Sequence, residues 1–280
     1  MRLYAYCPFL CYALRMLFDG YELRDITNPN ELELLEEVQK AAWGYDDREV
    51  TPGSLMVASV HSGGIVVAAF PQGSSLPVGF AFGFPAVRGG RLLHHSHLLA
   101  IAPAHRGTGL ARELKLLQRA RALENGFDLM TWTFDPLISR NARLNLGKLG
   151  AKAVSYHADW YAIRGGIYAG LPADRFMVEW DLRHESSEHP VARADGIRAL
   201  EALNGNVTLG VNTPKLELTS PSVLIEVPRD IEALKRDNLD VARAWRLAHR
   251  EVFPAYFARG YVATDLASSD NRTFYVLEKP

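Results

Sequence analysis

Cysteine is scarce: Cys7 and Cys11 are the only two in 280 residues. No second pair follows, which speaks against a disulfide framework or a thiolate zinc site and fits a reducing, cytoplasmic setting. An excess of one charge is missing too, since 31 basic side chains face 32 acidic ones and leave a net charge of −1. A non-specific nucleic-acid binder needs a basic surface to displace counterions from phosphates, so no nucleic-acid partner is expected. No apolar run reaches the ~18 residues of a spanning helix, so no membrane partner is expected either. What is present is a globular composition, 48% apolar and 22% charged. At roughly 150 residues per domain, the length suggests about two domains. Residues 1–14 are apolar after Arg2, but Pro8 interrupts them, and Arg15, Phe18 and Asp19 stand where a cleavage site would follow. Residues 1–20 are therefore read as an N-terminal extension, with Met16 as an alternative start and a signal peptide as the competing reading.

Periodicity organises the rest. Residues 21–26 alternate as a strand. Asn30 and Glu33 then resemble a capping box, ahead of a helix whose apolar face is Leu34, Leu35, Val38, Ala41 and Ala42. A turn at Thr51-Pro52-Gly53 and a short segment lead to two apolar runs, 65–70 and 78–84, read as a hairpin. Residues 92–101 make a long strand on which Leu93, His95, His97, Leu99 and Ile101 are expected to share a face. A helix carrying Leu110, Leu114, Leu117 and Leu123 follows, then a strand at 128–134, a helix over 139–149, and strands at 154–161 and 176–182. This β-α-β-β-β-α-β-α-β-β order makes residues 21–182 an α/β domain. Residues 183–194 read as a linker. Residues 195–280 form a smaller α/β unit with a helix-like start, a strand at 223–227, a helix over 240–259 and two last strands.

The strongest chemical signal is Ala100-Ile101-Ala102-Pro103-Ala104-His105-Arg106-Gly107-Thr108-Gly109-Leu110-Ala111. An apolar strand runs into a proline, an Arg-Gly-x-Gly turn and then a helix. Glycines permit unusual dihedrals, and the free N–H groups of a helix start converge on an anion, for which a pyrophosphate is the natural ligand and Arg106 a charge partner. A P-loop is excluded because no Gly-Lys-Ser/Thr follows, and the dinucleotide pattern fails because Arg112 stands at its third glycine. The plain alternative is a glycine turn before a helix.

Arg106-Gly107-Thr108-Gly109-Leu110-Ala111 resembles the Q/R-x-x-G-x-G/A coenzyme A loop of the GNAT superfamily of N-acyltransferases. Leu99-Ala100-Ile101-Ala102-Pro103 is similar to the strand end that precedes that loop, and Asn141 and Lys148-Leu149-Gly150 resemble its fourth helix. The resemblance covers residues 21–182. It implies an α/β (α+β) fold with a mixed, mostly antiparallel central sheet flanked by helices. Ser96-His97-Leu98-Leu99, the 131–136 and 139–142 segments and the 170–175 segment resemble a bacterial subgroup with a C-terminal extension, linked to N-succinylation of amino acids. The implied co-substrate is acetyl-CoA or succinyl-CoA, held by Leu99, Ala100, Ile101, Arg106, Gly107, Thr108, Gly109, Leu110, Ala111 and Asn141, with no metal.

The implied chemistry is direct transfer to an amine, with an N–H of the 99–101 strand on the oxyanion. The glutamate frequent in the family would fall near His95. His95 and His97, with an ordinary pKa near ~6.5, are candidate bases, directly or through water; the alternative is a pair of hydrogen-bonded strand histidines. A metal on the two is disfavoured, because no acidic or cysteine ligand accompanies them. The family's usual acid, a tyrosine on the fourth helix, falls at Leu146. Tyr161 and Tyr156 are the alternatives, beside proton transfer to water. Arg140, Arg143 and Arg175 are candidate carboxylate clamps. The expected partners are an acyl-CoA and a small amine or amino acid, with a homodimer allowed. A non-catalytic CoA-binding module and a protein N-acetyltransferase are the competing functions. The tail reads as a half-copy of the same fold without its phosphate loop.

Overall fold

The computed structural model describes residues 15–161, 170–184 and 196–280. Its first elements are β1 (Met16–Phe18), β2 (Tyr21–Asp25), α1 (Pro29–Trp43), α2 (Gly53–His61), β3 (Ile65–Pro71), β4 (Gly79–Arg88) and β5 (Arg91–Ile101). They are followed by α3 (Leu110–Glu124), β6 (Leu129–Phe134), α4 (Ser139–Ala142), β7 (Lys152–His157) and β8 (Arg175–Asp181). The last part holds β9 (Ile197–Leu200), β10 (Ser222–Val227), α5 (Ile231–Asp237), α6 (Leu239–Phe257), β11 (Val262–Ser269) and β12 (Arg272–Glu278).

The strands make one sheet in the order β1-β2-β3-β4-β5-β6-β8-β7-β11-β12-β10-β9. Its pairs are antiparallel except β5–β6 and β9–β10. The expected class, a mixed and mostly antiparallel sheet flanked by helices, is what the chain adopts. β3 shows why both faces need helices. Its even residues Val66, Ala68 and Phe70 pack with Leu32, Leu35 and Met56 of α1 and α2. Its odd residues Ile65, Val67 and Ala69 join the cluster of Leu110, Leu114 and Leu117 on α3. A strand buried on both faces reads as a continuous apolar run rather than an alternation.

Several boundaries differ from expectation for identifiable reasons. The first helix starts two residues early: Asn28 caps it, accepting from Asn30 N–H at 2.9 Å, and Pro29 takes the first turn. A proline there loses no helical hydrogen bond and presets φ, so it draws the start back from Asn30. Glu33 therefore closes no capping box, and Glu31 pairs with Arg24 instead. α2 replaces the short segment expected before Gly63; its Leu, Val and Ala residues surround the axis and leave only Gly53 and Met56 buried. Residues 16–18 of the expected extension form β1, antiparallel to β2. The helix expected over 139–149 is α-helical only to Ala142 and π-helical over Arg143–Lys148. The strand expected to reach residue 161 ends at His157. The helix-like start near 195 is strand β9, held by its parallel partner β10. Residues 1–14 and 185–195, hence most of the expected linker, lie outside the described residues.

The C-terminal strands continue the sheet through one pair, Ala263 of β11 opposite Ala153 of β7. Their arrangement echoes the strands before them. β6-β8-β7 and β10-β12-β11 have the same order and the same antiparallel senses, and β5 and β9 each lie parallel to the next strand in the chain. β7 carries a register shift after Ala153 and β11 one after Ala263. The two residues that join the halves are thus topological counterparts.

Candidate functional site

The site begins with a broken alternation on β5. Gly83 pairs with Ser96, but Phe82 pairs with Leu98, leaving His97 as an extra residue. Such a bulge reverses which face each later residue takes. Ser96 packs toward α3, where its hydroxyl donates to Gln118 Oε1 at 2.8 Å, and His95 and His97 lie against Phe84. Beyond the bulge the parity changes. Leu99 and Ile101 join the α3 cluster, while Leu98 and Ala100 pack with α1 and α2. The expected shared face of Leu93, His95, His97, Leu99 and Ile101 is therefore wrong, because its last two members are turned over. Gly83 makes the bulge feasible: a Cβ there would stand 2.4 Å from His94 Nε2 and 2.6 Å from the His95 carbonyl.

The same strand parts from its neighbour. β5 pairs with β6 only at His94–Met130 and His95–Thr131, and then the two diverge. On its other side Ala102 N–H donates to Val78 O at 2.8 Å. Antiparallel alternation then sends the main-chain groups of Leu98, Ala100 and Ala102 to β4, and those of Leu99 and Ile101 into the split. Of the three residues expected to bond the pantetheine arm, Ala100 is consequently turned away.

The loop after β5 lies at the outer end of this split. Gly107 (φ +80°) and Gly109 (φ +91°) are left-handed, and Gly109 stands at the α3 N-terminus with no side-chain cap. Arg112 and Glu113 N–H donate to Gly109 O. The N–H groups of Gly107, Thr108, Gly109, Leu110 and Ala111 find no acceptor among the described residues. Gly107, Gly109, Leu110 and Ala111 line a groove of about 500 Å³, together with Asn141, Arg143 and Lys148. Arg106 lines it too, but its guanidinium donates to Ala42 O at 2.6 Å and Ile101 O at 3.3 Å, tying the loop to the end of α1. Thr108 Oγ1 donates to His105 O, stiffening the turn. Gly109→Ala is expected to destabilise the fold by roughly 1–2 kcal/mol, the left-handed cost of a residue with a Cβ. The Phe18 ring, 3.2 Å from the new methyl group, adds to that cost. Urea unfolding of the parent and the variant checks the effect.

Inward from the groove lies a cavity of about 250 Å³. Trp43, Leu99, Asn141 and Leu144 line both spaces, so they form one continuous path. The cavity holds His97 and Tyr161, with Ser96, Lys115, Asp135 and Arg175 around them. His95 is not on its wall: its Nδ1 is 3.1 Å from Thr131 Oγ1 and its ring centre 6.4 Å from that of His97. Burial lowers the pKa of His97, and burial with the nearby His97 charge pushes His95 down to about 4. Both rings are therefore neutral proton acceptors at pH 7. Tyr161 stacks its ring against the Arg175 guanidinium at 5.2 Å. Tyr156, by contrast, donates its hydroxyl to Asp174 Oδ2 at 2.5 Å. Leu146 is fully buried in the core.

Solved structures resemble part of the chain in fold. The chain is similar to a Salmonella typhimurium protein with its cofactor acetyl-CoA, at 18% identity and TM-score 0.48, over 61% of this chain and 99% of that one. It is also similar to a GNAT-family acetyltransferase from Streptococcus pneumoniae, at 15% identity and TM-score 0.46, over 57% and 97% of the two chains. A third is Arabidopsis thaliana NAA60 in complex with a bisubstrate analogue, at 16% identity and TM-score 0.45, over 57% and 97%. The likeness is one of fold. No protein-family model and no curated protein matches the chain.

Some residues of the site were not anticipated. Gln39 and Trp43 come from α1 and Thr51 from the loop behind it, so a helix assigned only to packing forms one wall. Lys115 lies inside an amphipathic helix and Asp135 just after β6, positions that carry no signal of a site in the sequence. Of the candidate arginines, Arg140 makes two bonds to Glu232 at 2.9 and 3.0 Å and Arg143 faces Asp265 at 3.5 Å. Both tie the groove to the C-terminal unit, and only Arg175 lines the cavity.

Proposed function

We propose that the chain is an acyl-CoA-dependent N-acyltransferase that moves an acetyl or succinyl group to the amine of a small molecule such as an amino acid. One observation carries the reading: the outward-turned main chain of Leu99 and Ile101 lies between a groove ending in unpaired amides and a cavity holding a neutral histidine. The amides of 107–111 suit a pyrophosphate. The freed edge of β5 suits an extended amide-bearing arm, which needs a strand-like partner. Leu99 N–H is then placed to bond the oxygen of a thioester under attack.

The amine must lose a proton before it attacks. His97 takes that proton, directly or through one water, and His95 lies behind it on Thr131. Collapse of the tetrahedral adduct expels a thiolate, to which Tyr161 or water gives a proton. The C-terminal unit, residues 195–280, is read as a half-copy of the same fold, reaching the groove through Glu232. Its support is the repeated strand order and the counterpart residues Ala153 and Ala263.

Calorimetric titration with CoA, followed by thiol release from acetyl-CoA and succinyl-CoA over a panel of amino acids and amines, tests the proposal. Binding with turnover on at least one amine is the expected result. Tight binding without turnover on any amine, including peptide N-termini, would replace it with the non-catalytic module. Turnover on peptides alone would make the chain a protein N-acetyltransferase.

A further inference from the structure

The floor of the cavity is formed by a lysine that no anion answers. Lys115, on α3, is 1% exposed, and its Nζ lies 2.9 Å from Ser96 Oγ, 3.1 Å from Gln118 Oε1 and 3.1 Å from Met130 Sδ. The Trp132 ring lies 4.0 Å away. His94 and His95 of β5 are the other titratable groups that act on it, and no carboxylate among the described residues bonds to it. Of the two acids on the same cavity wall, Asp135 is committed to Arg246 at 2.6 Å and Glu49 accepts from Asp46 N–H at 3.2 Å.

The acceptors around this lysine, Ser96 Oγ, Gln118 Oε1 and Met130 Sδ, are all neutral. The Ser96 hydroxyl also donates to Gln118 Oε1, so one oxygen serves two donors behind the cavity wall. A carboxylate offers about four acceptor positions and the charge that these partners lack. We propose that Lys115, with Ser96 beside it on the cavity wall, is the receiving site for a carboxylate carried into the cavity by one of the reactants. That carboxylate is either the far end of the acyl group, opposite the thioester, or the carboxylate of the acceptor. The site rests on the transferase reading above. Burial holds the Lys115 pKa well below its ordinary value, which disfavours the charged form. An entering carboxylate restores the charge, and binding draws a proton from solvent.

The test is a binding experiment on the full chain and needs no turnover. Calorimetry in two buffers of different ionisation enthalpy compares acetyl-CoA with succinyl-CoA. It then compares phenethylamine with phenylalanine on protein loaded with CoA. In one of the two pairs, the carboxylate-bearing member is expected to bind with uptake of about one proton. Lys115→Met should abolish that uptake and cost the same ligand about tenfold or more in affinity, leaving its uncharged counterpart within about twofold. The pair that responds identifies the source. Lys115→Met removes a buried amine that no carboxylate among the described residues bonds to, and is expected to melt no lower than the parent. Lys115→Gln, which keeps a donor, should fall between the two and serves if the methionine variant does not fold. Equal losses in both members of each pair, or no proton uptake in either, overturn this site alone. A chain that binds no CoA overturns the transferase reading and this site together.

Discussion

Replacing His97 with alanine is expected to lower kcat by roughly 10²–10⁴-fold, the usual contribution of a positioned general base. CoA affinity should be untouched, because the amides that suit the pyrophosphate lie in the groove, away from the ring. His95→Ala should have a smaller effect, since His95 is absent from the cavity wall. The pH profile gives the sign. A histidine whose pKa is lowered keeps its proton-accepting form into more acidic solution, so the acidic limb of kcat/KM should fall below the ordinary value of 6.5. Desolvation is the cause, and His95 behind it is depressed further, to about 4. A wild-type limb at or above 6.5, or the same limb retained in His97→Ala, would sink the assignment. The measurement is kcat/KM against pH, which reports the free protein.

The second large effect is expected far from the transfer chemistry, at Arg246. This α6 side chain is 1% exposed, and its Nη2 bonds Asp135 Oδ2 at 2.6 Å. Asp135 ends β6 and holds the next turn by accepting from Leu137 N–H at 2.8 Å. The burial of Arg246 would lower its pKa, yet Asp135 beside it keeps it raised, so the guanidinium stays charged. Arg246→Met leaves the buried Asp135 carboxylate facing the Arg175 guanidinium at 3.9 Å without its short bond, and is expected to cost about 3 kcal/mol. Adding Asp135→Asn should recover a large part of that loss, because the poorly paired carboxylate is gone. Urea unfolding of the parent, the two single variants and the double variant checks this. Additive single effects would show that the two residues are not coupled.

The legible parts of this chain are those whose physics is local. The hairpin of β3 and β4 is legible because its apolar runs are bounded by turn residues. The 106–111 loop is readable because close backbone approach needs glycine at fixed spacing, whatever the rest of the molecule does. β5 shows the limit. Its period-2 pattern is correct up to His97, but the bulge depends on Gly83 in another strand, and one extra residue reverses the parity beyond it. Lys115 was hidden for a related reason. A lysine beside Leu114 reads as the edge of a solvent-facing stripe until β5 and β6 part above it. β9 is four residues long and gets its shape from β10, more than twenty positions later. Elements defined by a remote partner carry little signal of their own.

The join at Ala153 and Ala263 also has a consequence in time. During synthesis β7 exists well before its neighbour β11, because 110 residues separate the two alanines. At a translation rate of ~5–20 residues per second, that interval is about 5–20 s. Through it, the nascent chain presents β7 as an open edge, a template that another nascent chain on the same message could pair with. The strands that cover β7 thus leave the ribosome well after it, and the interval before they arrive is when this edge is most exposed to pairing with the wrong chain.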